Sequence, residues 1–160
     1  MPRSALYKNI MSKKPNILLT DDEDTFRNIM AKELTRMGYN VVSCASGSET
    51  INTLHERDFD VVILDMNMPV MGGIETLKRV KEMEPTTEVI VLTGQGSIES
   101  AVQAIKSGAY DYLTKPCRLS ELDALLQKAL EKRQLNRENA HLRSLVKCIR
   151  KTPVLIGNSM

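Results

Sequence analysis

The chain has 160 residues, of which 42% are hydrophobic and 26% are charged, and its formal net charge is +2. This composition is typical of a globular protein, and it excludes a disordered chain or a membrane span. The charge is too small to indicate nucleic-acid binding, and the three widely separated cysteines fit neither a disulfide framework nor a zinc site.

Short apolar runs alternate with segments of helical periodicity from residue 16 onward, a pattern that predicts a parallel sheet with helices on both faces. The predicted strands are Asn16–Thr20, Asn40–Cys44, Asp60–Leu64, Glu88–Thr93 and Ala109–Leu113. The first four predicted helices are Asp24–Met37, Ser48–Arg57, Ile74–Met83 and Ser97–Lys106. The first of them places on one face Phe26, Ile29, Met30, Leu34 and Met37. The predicted fold class is α/β, with a doubly wound five-stranded parallel sheet.

The last predicted helix begins at Leu119 and meets no breaking residue before Pro153, so about thirty residues are expected to be helical. Its second half has apolar side chains and one asparagine at alternating spacings of four and three, namely Leu135, Asn139, Leu142, Val146 and Ile149. This is the spacing of a coiled-coil seam in which a polar residue fixes the register, so it predicts a homodimer. A surface helix that packs on its own domain is the alternative.

Three aspartates follow two of the predicted strands. Asp21 and Asp22 come directly after the first strand, and Asp65 follows the third. In a sheet of order 2-1-3-4-5 these strands are neighbours, and ligands bind beyond the carboxyl ends of the strands where the order reverses. The carboxylates would then converge, and their repulsion favours a divalent cation. Mg²⁺ prefers such oxygen ligands and keeps positions for phosphate, and a carboxylate can itself attack phosphorus, so the sequence predicts phosphate chemistry.

Two further polar side chains come at the ends of the fourth and fifth strands. Thr93 precedes Gly94, Gln95 and Gly96, which leave space beside its hydroxyl. Lys115 precedes Pro116, and a cis bond between them is compatible with an inward ammonium. A transferred phosphoryl group needs its oxygens neutralised by a metal, an ammonium and hydroxyl donors. Each residue alone also fits a turn or an exposed loop, and it is their combination that predicts a phosphoryl site.

The segments ILLTDDED, VVILDMNMP, VIVLTGQGS and GAYDYLTKP, in this order, resemble the receiver domain of bacterial two-component response regulators, over roughly residues 15–130. The resemblance implies that Asp65 is the phosphoacceptor. It also implies that Asp21, Asp22 and Asp65 bind Mg²⁺ together with the backbone carbonyl of Asn67.

The same resemblance implies a switch and a partner. Thr93 and Lys115 would contact the phosphoryl group, and Tyr112 would move inward as Thr93 swings toward it. A sensor histidine kinase would supply the phosphoryl group to Asp65. The resulting change would reach the surface around the fourth and fifth helices and, through the last helix, the arrangement of the dimer.

The segment LTGQGSIESAVQAIKSGAYDYLTKPC and the long last helix further resemble receivers of the NtrC family of sigma-54-dependent transcriptional activators, and VLIGNSM resembles the start of their ATPase domain. We therefore expect a leader (residues 1–14), a receiver domain (15–130), a helical linker (131–152) and the start of a truncated domain (153–160). Contacts with DNA and sigma-54 RNA polymerase are expected only in domains missing from this chain. Because residues 1–15 lack the apolar block of a secretory signal, we expect a cytoplasmic protein.

Two other classes of protein share parts of this pattern. An aspartyl-phosphate phosphotransferase or phosphatase for small substrates commonly needs a general acid two residues after the nucleophile. This chain has Asn67 at that position. A flavin-binding domain of the same topology needs loops that cradle phosphate, whereas aspartates would repel it. The chain is therefore not expected to be an enzyme, beyond gain and loss of its own phosphoryl group.

The remaining titratable residues are expected to lie on the surface. His55 and His141 have no nearby partner acid or second ligand in the sequence. The charges of the last helix are expected to form a solvated face, which comprises Glu131, Lys132, Arg133, Arg137, Glu138 and Arg143.

Overall fold

The computed structural model describes residues 14–94 and 98–150. In these ranges the strands are β1 (Asn16–Thr20), β2 (Asn40–Cys44), β3 (Val61–Asp65), β4 (Glu88–Thr93) and β5 (Asp111–Thr114). The helices are α1 (Asp24–Arg36), α2 (Gly47–Glu56), α3 (Gly73–Met83), α4 (Ile98–Lys106) and α5 (Leu119–Arg150). Most of the expected leader, Ser97 at the expected start of the fourth helix, and residues 151–160 lie outside the described ranges.

All five strands are parallel and lie in the order β2-β1-β3-β4-β5, so the predicted fold class and strand order are confirmed. Side chains of the central strands alternate between two apolar cores. The first core lies between the sheet and helices α2, α3 and α4, with Leu54, Leu77 and Ala104 among its residues. The second lies under α1 and α5, where Leu34 and Leu126 are fully buried. Burial on both faces explains why β3 and β4 are continuous apolar runs.

Strands β3 and β5 begin later than the sequence predicts, for local reasons. Asp60 lies before β3, and its carboxylate accepts the backbone N–H of Asn16 at 2.8 Å. Ala109 belongs to the turn that ends α4, because its N–H donates to the carbonyl of Ala104 at 3.0 Å. The preceding Gly108 has φ +107°, the left-handed conformation in which helices commonly end.

The expectation that Arg133 belongs to a solvated helix face is wrong. Its side chain is buried, and its Nη1 lies 3.0 Å from Asp60 Oδ1 in a salt bridge at the amino-terminal edge of the sheet. On the next turn of α5, Asn136 donates a hydrogen bond of 3.4 Å to Glu88, which is buried at the start of β4. Lys132 and Lys81 lie 3.7 and 3.9 Å from the other carboxylate oxygen of Glu88. Helix α5 is thus attached to the sheet beyond residue 130.

The second half of α5 extends away from this attachment. From Arg137 to Ile149 every side chain is exposed, including the predicted seam residues Leu142, Val146 and Ile149. The alternative in which this segment packs on its own domain is therefore wrong for the described residues. No helix in the described ranges is both long enough and apolar enough to cross a bilayer.

Replacing Arg133 by Ala should lower the free energy of unfolding by about 2–3 kcal/mol, because the carboxylate of Asp60 would lose its buried partner. The matched control is Arg137→Ala, which removes an exposed arginine from the same helix and should change stability by about 0.5 kcal/mol or less. Urea denaturation at one protein concentration measures both. Equal stability of the two variants would contradict a structural role for Arg133.

Candidate functional site

The carboxyl-terminal edge of the sheet holds the candidate site residues in fixed backbone positions. Backbone hydrogen bonds continue one residue past three strands: Asp21 N–H donates to the carbonyl of Cys44, Met66 N–H to that of Leu92, and Lys115 N–H to that of Thr93. Their lengths are 3.1, 3.0 and 2.7 Å. The backbone next to each functional side chain is therefore part of the sheet ladder rather than of a free loop.

Three carboxylates converge at this edge, as the sequence predicts. Oxygens of Asp21, Asp22 and Asp65 all lie within 4.8 Å of one another. Asp21 and Asp65 are buried, whereas Asp22 is exposed and leaves the cluster open to solvent on one side. Asp65 Oδ1 also accepts the backbone N–H of Asn67 at 3.2 Å, so the backbone of Asn67 lies next to the cluster.

The ammonium group of Lys115 lies against the two buried carboxylates. Lys115 Nζ is 2.6 Å from Asp21 Oδ2 and 3.7 Å from Asp65 Oδ1, and the peptide bond between Lys115 and Pro116 is cis. Burial alone would lower the pKa of Lys115, but its hydrogen bond to Asp21 and the charges of both aspartates raise it overall. The ammonium is therefore held in its charged form, and it offsets only one of three negative charges.

Burial raises the pKa of Asp65 to about 6, from an ordinary value of 3.8. The N–H of Asn67 and the ammonium of Lys115 act in the opposite direction, while the charges of Asp21 and Asp22 raise the pKa further. At neutral pH Asp65 is thus an ionised carboxylate in surroundings that disfavour its charge.

This set of donors fits a hard divalent cation. Within the described ranges, one ammonium lies beside these three carboxylates, which leaves two negative charges in excess. Mg²⁺ takes oxygen ligands while retaining water or phosphate in other positions. Asp21, Asp22 and Asp65 are the residues that would bind it, and the adjacent backbone of Asn67 is available for a further contact.

Thr93 and Tyr112, the two residues predicted to form a switch, have their side chains on the same face of the sheet. Thr93 is buried at the end of β4, and Tyr112 pairs with Val91 in the register between β4 and β5. Because side chains two residues apart on a strand point the same way, Thr93 and Tyr112 both face α4. Tyr112 is 42% exposed.

The loop after Asp65 is tightly folded against the start of α3. A Cβ atom on Gly73 would lie 2.6 Å from Met66 Cα, so only glycine fits there. Met68 is buried, and Met66 and Met71 pack against the first core. Val70 has φ +66°, an unfavourable conformation for a β-branched residue, and its fully exposed side chain makes no compensating contact. The contacts of its neighbours therefore determine the shape of this loop.

Sequence reasoning missed two residues of α1 that contact the site. Phe26 presents its ring to the Lys115 ammonium, with 4.4 Å between Nζ and the ring centroid. Arg27 Nη1 donates to the backbone carbonyl of Asp21 at 2.7 Å, and its Nη2 lies 2.5 Å from Asp24. Phe26 appeared in the sequence only as part of an apolar helix face. The spacing of three between Asp24 and Arg27 could have indicated their ion pair, but no local pattern indicated the contact of Arg27 with the carbonyl of Asp21.

Residues 17–127 match the model of the response regulator receiver domain. This chain belongs to that family. It is 41% identical over 146 residues to an NtrX-like response regulator of Rickettsia bellii, covering 90% of this chain and 30% of the relative. It is 42% identical over 115 residues to the transcriptional regulatory protein ZraR of Escherichia coli O157:H7, covering 72% of this chain and 26% of that protein. The chain therefore spans less than a third of the length of these relatives.

Solved structures support the same assignment. The crystal structure of NtrX from Brucella abortus superposes with a TM-score of 0.76 at 30% identity, over 81% of this chain and 29% of that one. A receiver domain protein from Clostridium thermocellum superposes with a TM-score of 0.73 at 34% identity, over 76% of this chain and 98% of that one. The predicted resemblance to a receiver domain with NtrC-family relatives is confirmed.

In the metal-free protein, Asp65→Asn should raise the free energy of unfolding by about 1–3 kcal/mol at pH 8, because it removes a buried carboxylate whose charge the fold disfavours. The folded state keeps the Asp65 proton between pH 3.8 and about 6, where the unfolded chain has lost it. The wild-type protein therefore loses this stability as pH rises through that window, and the advantage of the variant should shrink as pH falls through it.

Denaturation in the presence of a chelator, at several pH values, measures this difference. Asp22→Asn is the matched control and should give a smaller gain, because the carboxylate of Asp22 is exposed. Added Mg²⁺ should reduce the advantage of Asp65→Asn by binding the wild-type carboxylates. A gain that stays constant from pH 8 to pH 4 would contradict the assigned cause.

Proposed function

We propose that this chain is the phosphorylation-dependent switch of a two-component system, with Asp65 as phosphoacceptor and a sensor histidine kinase as phosphodonor. One observation carries the proposal: Asp65 is buried at the tip of β3, within 4.8 Å of two other carboxylates and 3.7 Å from the Lys115 ammonium. Family membership supports it, because receiver domains work with kinases of this class.

The proposed reaction is a transfer between two nucleophiles. A carboxylate oxygen of Asp65 attacks the phosphorus of a phosphohistidine, an oxygen–phosphorus bond forms, and the bond from phosphorus to the imidazole nitrogen breaks. The Lys115 ammonium and the Thr93 hydroxyl contact the phosphoryl oxygens. When bound by Asp21, Asp22, Asp65 and the carbonyl of Asn67, Mg²⁺ supplies charge neutralisation at those oxygens. Asn67 is no general acid, so sustained turnover of small phosphate esters is not expected.

The proposed switch runs along the face that Thr93 and Tyr112 share. Movement of the Thr93 hydroxyl toward the phosphoryl group would leave space on the α4 side of the sheet, and the exposed Tyr112 ring would move inward to fill it. This would change the surface formed by α4 and β5. A bias of a few kcal/mol between two states is sufficient for such a switch.

The proposed output is transcriptional. Because its relative ZraR is a transcriptional regulatory protein, we assign this receiver to a longer sigma-54-dependent activator that acts in the cytoplasm. Contacts with DNA and with sigma-54 RNA polymerase would then belong to domains other than the receiver. The receiver contributes the phosphorylation input and the orientation of the helix that leads onward.

Beryllofluoride, which mimics a phosphoryl group on aspartate, should bind the wild-type protein in the presence of Mg²⁺ and should fail to bind Asp65→Ala. Fluorine NMR of the bound species measures this directly. Asp58→Ala removes an exposed carboxylate away from the cluster and should bind as the wild type does. Binding that survives in Asp65→Ala would refute the proposed acceptor.

The proposed homodimer uses the exposed seam of α5. Leu135, Leu142, Val146 and Ile149 recur at coiled-coil spacing and are about half exposed, so a second copy of the helix would bury them. Asn139 falls at a seam position where it would fix the register. The attachment of α5 at Arg133 and Asn136 would transmit a change of the receiver to this seam.

Leu142→Asp should weaken the dimer at least tenfold, because a charge would be buried in the seam. Ser144→Asp is the matched control: it introduces the same charge two residues away, on the outer face of the predicted coiled coil, and should leave the dimer unchanged. Sedimentation equilibrium with and without beryllofluoride gives the molar mass in both states. Identical molar masses for the two variants would contradict this interface.

A further inference from the structure

Phe26 lies on the first turn of α1, directly below the candidate site. Its side chain is half-buried and packs against the second core, which contains Met30, Leu34 and Leu122. The ring also contacts Lys115, whose Nζ lies over it at 4.4 Å from the ring centroid. This distance is within the range of a cation–π interaction, in which the negative face of an aromatic ring attracts a cation.

Among the residues that the structure describes, the Lys115 ammonium lies close to three different groups. It is 2.6 Å from Asp21, 3.7 Å from Asp65 and 4.4 Å from the Phe26 ring, and the lysine side chain is only 21% exposed. The ring therefore covers a side of the ammonium where water would otherwise lie. Arg27, the next residue of α1, donates to the backbone carbonyl of Asp21, so one helical turn contacts both members of the Asp21–Lys115 pair.

We propose that Phe26 is a positioning residue of the phosphoryl-transfer site and that its ring holds the Lys115 ammonium in reach of the group on Asp65. The inference rests on the proposed role of Asp65 as phosphoacceptor and deepens it. In the free protein the ammonium is bound to Asp21, and to serve phosphoryl oxygens on Asp65 it must shift away from that carboxylate.

The ring makes that shift easier for a physical reason. A hydrogen bond to Asp21 is lost when the ammonium moves by about an ångström, whereas attraction to a ring face persists out to about 6 Å from the centroid. The ammonium can therefore change carboxylate partners while its third contact remains. An aliphatic residue of similar volume would fill the same part of the core but would not attract the cation.

The experiment measures beryllofluoride affinity in saturating Mg²⁺ for the full chain. Phe26→Leu should bind beryllofluoride roughly threefold to tenfold more weakly than the wild type, since the ring contact is lost. Phe26→Tyr keeps an aromatic face and should restore most of the affinity. Phenylalanines with one, two and three fluorine atoms at position 26 should weaken binding in steps, because each fluorine reduces the negative potential of the ring while the packing stays almost constant.

Two controls separate positioning from packing. Tyr110→Leu removes another half-buried ring that packs on the same core and lies 5.5 Å from a different lysine, Lys132, and it should leave the affinity unchanged. In a Lys115→Met background, Phe26→Leu should have no further effect on binding, because the cation is gone.

The outcomes distinguish this inference from the proposed function. A wild-type protein that binds no beryllofluoride would overturn both. Normal wild-type binding with an equal affinity in Phe26→Leu would overturn the inference alone. A weaker Phe26→Leu with no trend across the fluorinated series would also overturn it, because packing rather than the ring potential would then be the cause.

Discussion

The candidate site is defined by one interaction, the electrostatic repulsion between carboxylates that lie close together at the ends of two neighbouring parallel strands. The order of the sheet places the end of β1 beside the end of β3, and burial on both faces removes water from Asp21 and Asp65. The single ammonium of Lys115 offsets only part of this charge. The remaining negative charge at this edge would favour a bound metal ion, and the metal would in turn favour the proposed phosphoryl group.

The balance of charge differs between the two edges of the sheet. At the amino-terminal edge the buried charges have partners: Asp60 pairs with Arg133, while Glu88 lies near two lysines and accepts from Asn136. At the carboxyl-terminal edge negative charge is in excess. The ion pairs at the amino-terminal edge hold α5 against the sheet, whereas the excess carboxylates at the carboxyl-terminal edge favour binding of a cation. Helix α5 connects the two, because it begins shortly after Lys115 and is anchored at the opposite edge before it extends outward.

The strand ends and their order follow from the sequence, because apolar runs, strand tips and the topology of parallel sheets obey rules that act within short segments. The contact partners of Arg133 and Phe26 do not follow from such rules. Helical periodicity marked Arg133 as one charge among several, but its acid lies before β3. Likewise, the apolar face predicted for α1 included Ile29 and Met37, which are exposed, and it did not distinguish Phe26, whose ring contacts a lysine from beyond β5. Such contacts depend on distances across the fold that no local pattern encodes.

The proposed acceptor Asp65 and the proposed switch residue Tyr112 lie on strands that differ in how well they are packed. Asp65 ends β3, a central strand whose five residues are all buried, so its backbone has little freedom to move. Tyr112 lies on β5, a four-residue edge strand in which every second side chain is exposed. An edge strand with one free side has fewer contacts to break, so its side chains can change conformation at lower cost than those of a central strand. In the proposed switch, the central strand would keep the acceptor in place, while the edge strand would carry the side chain that moves.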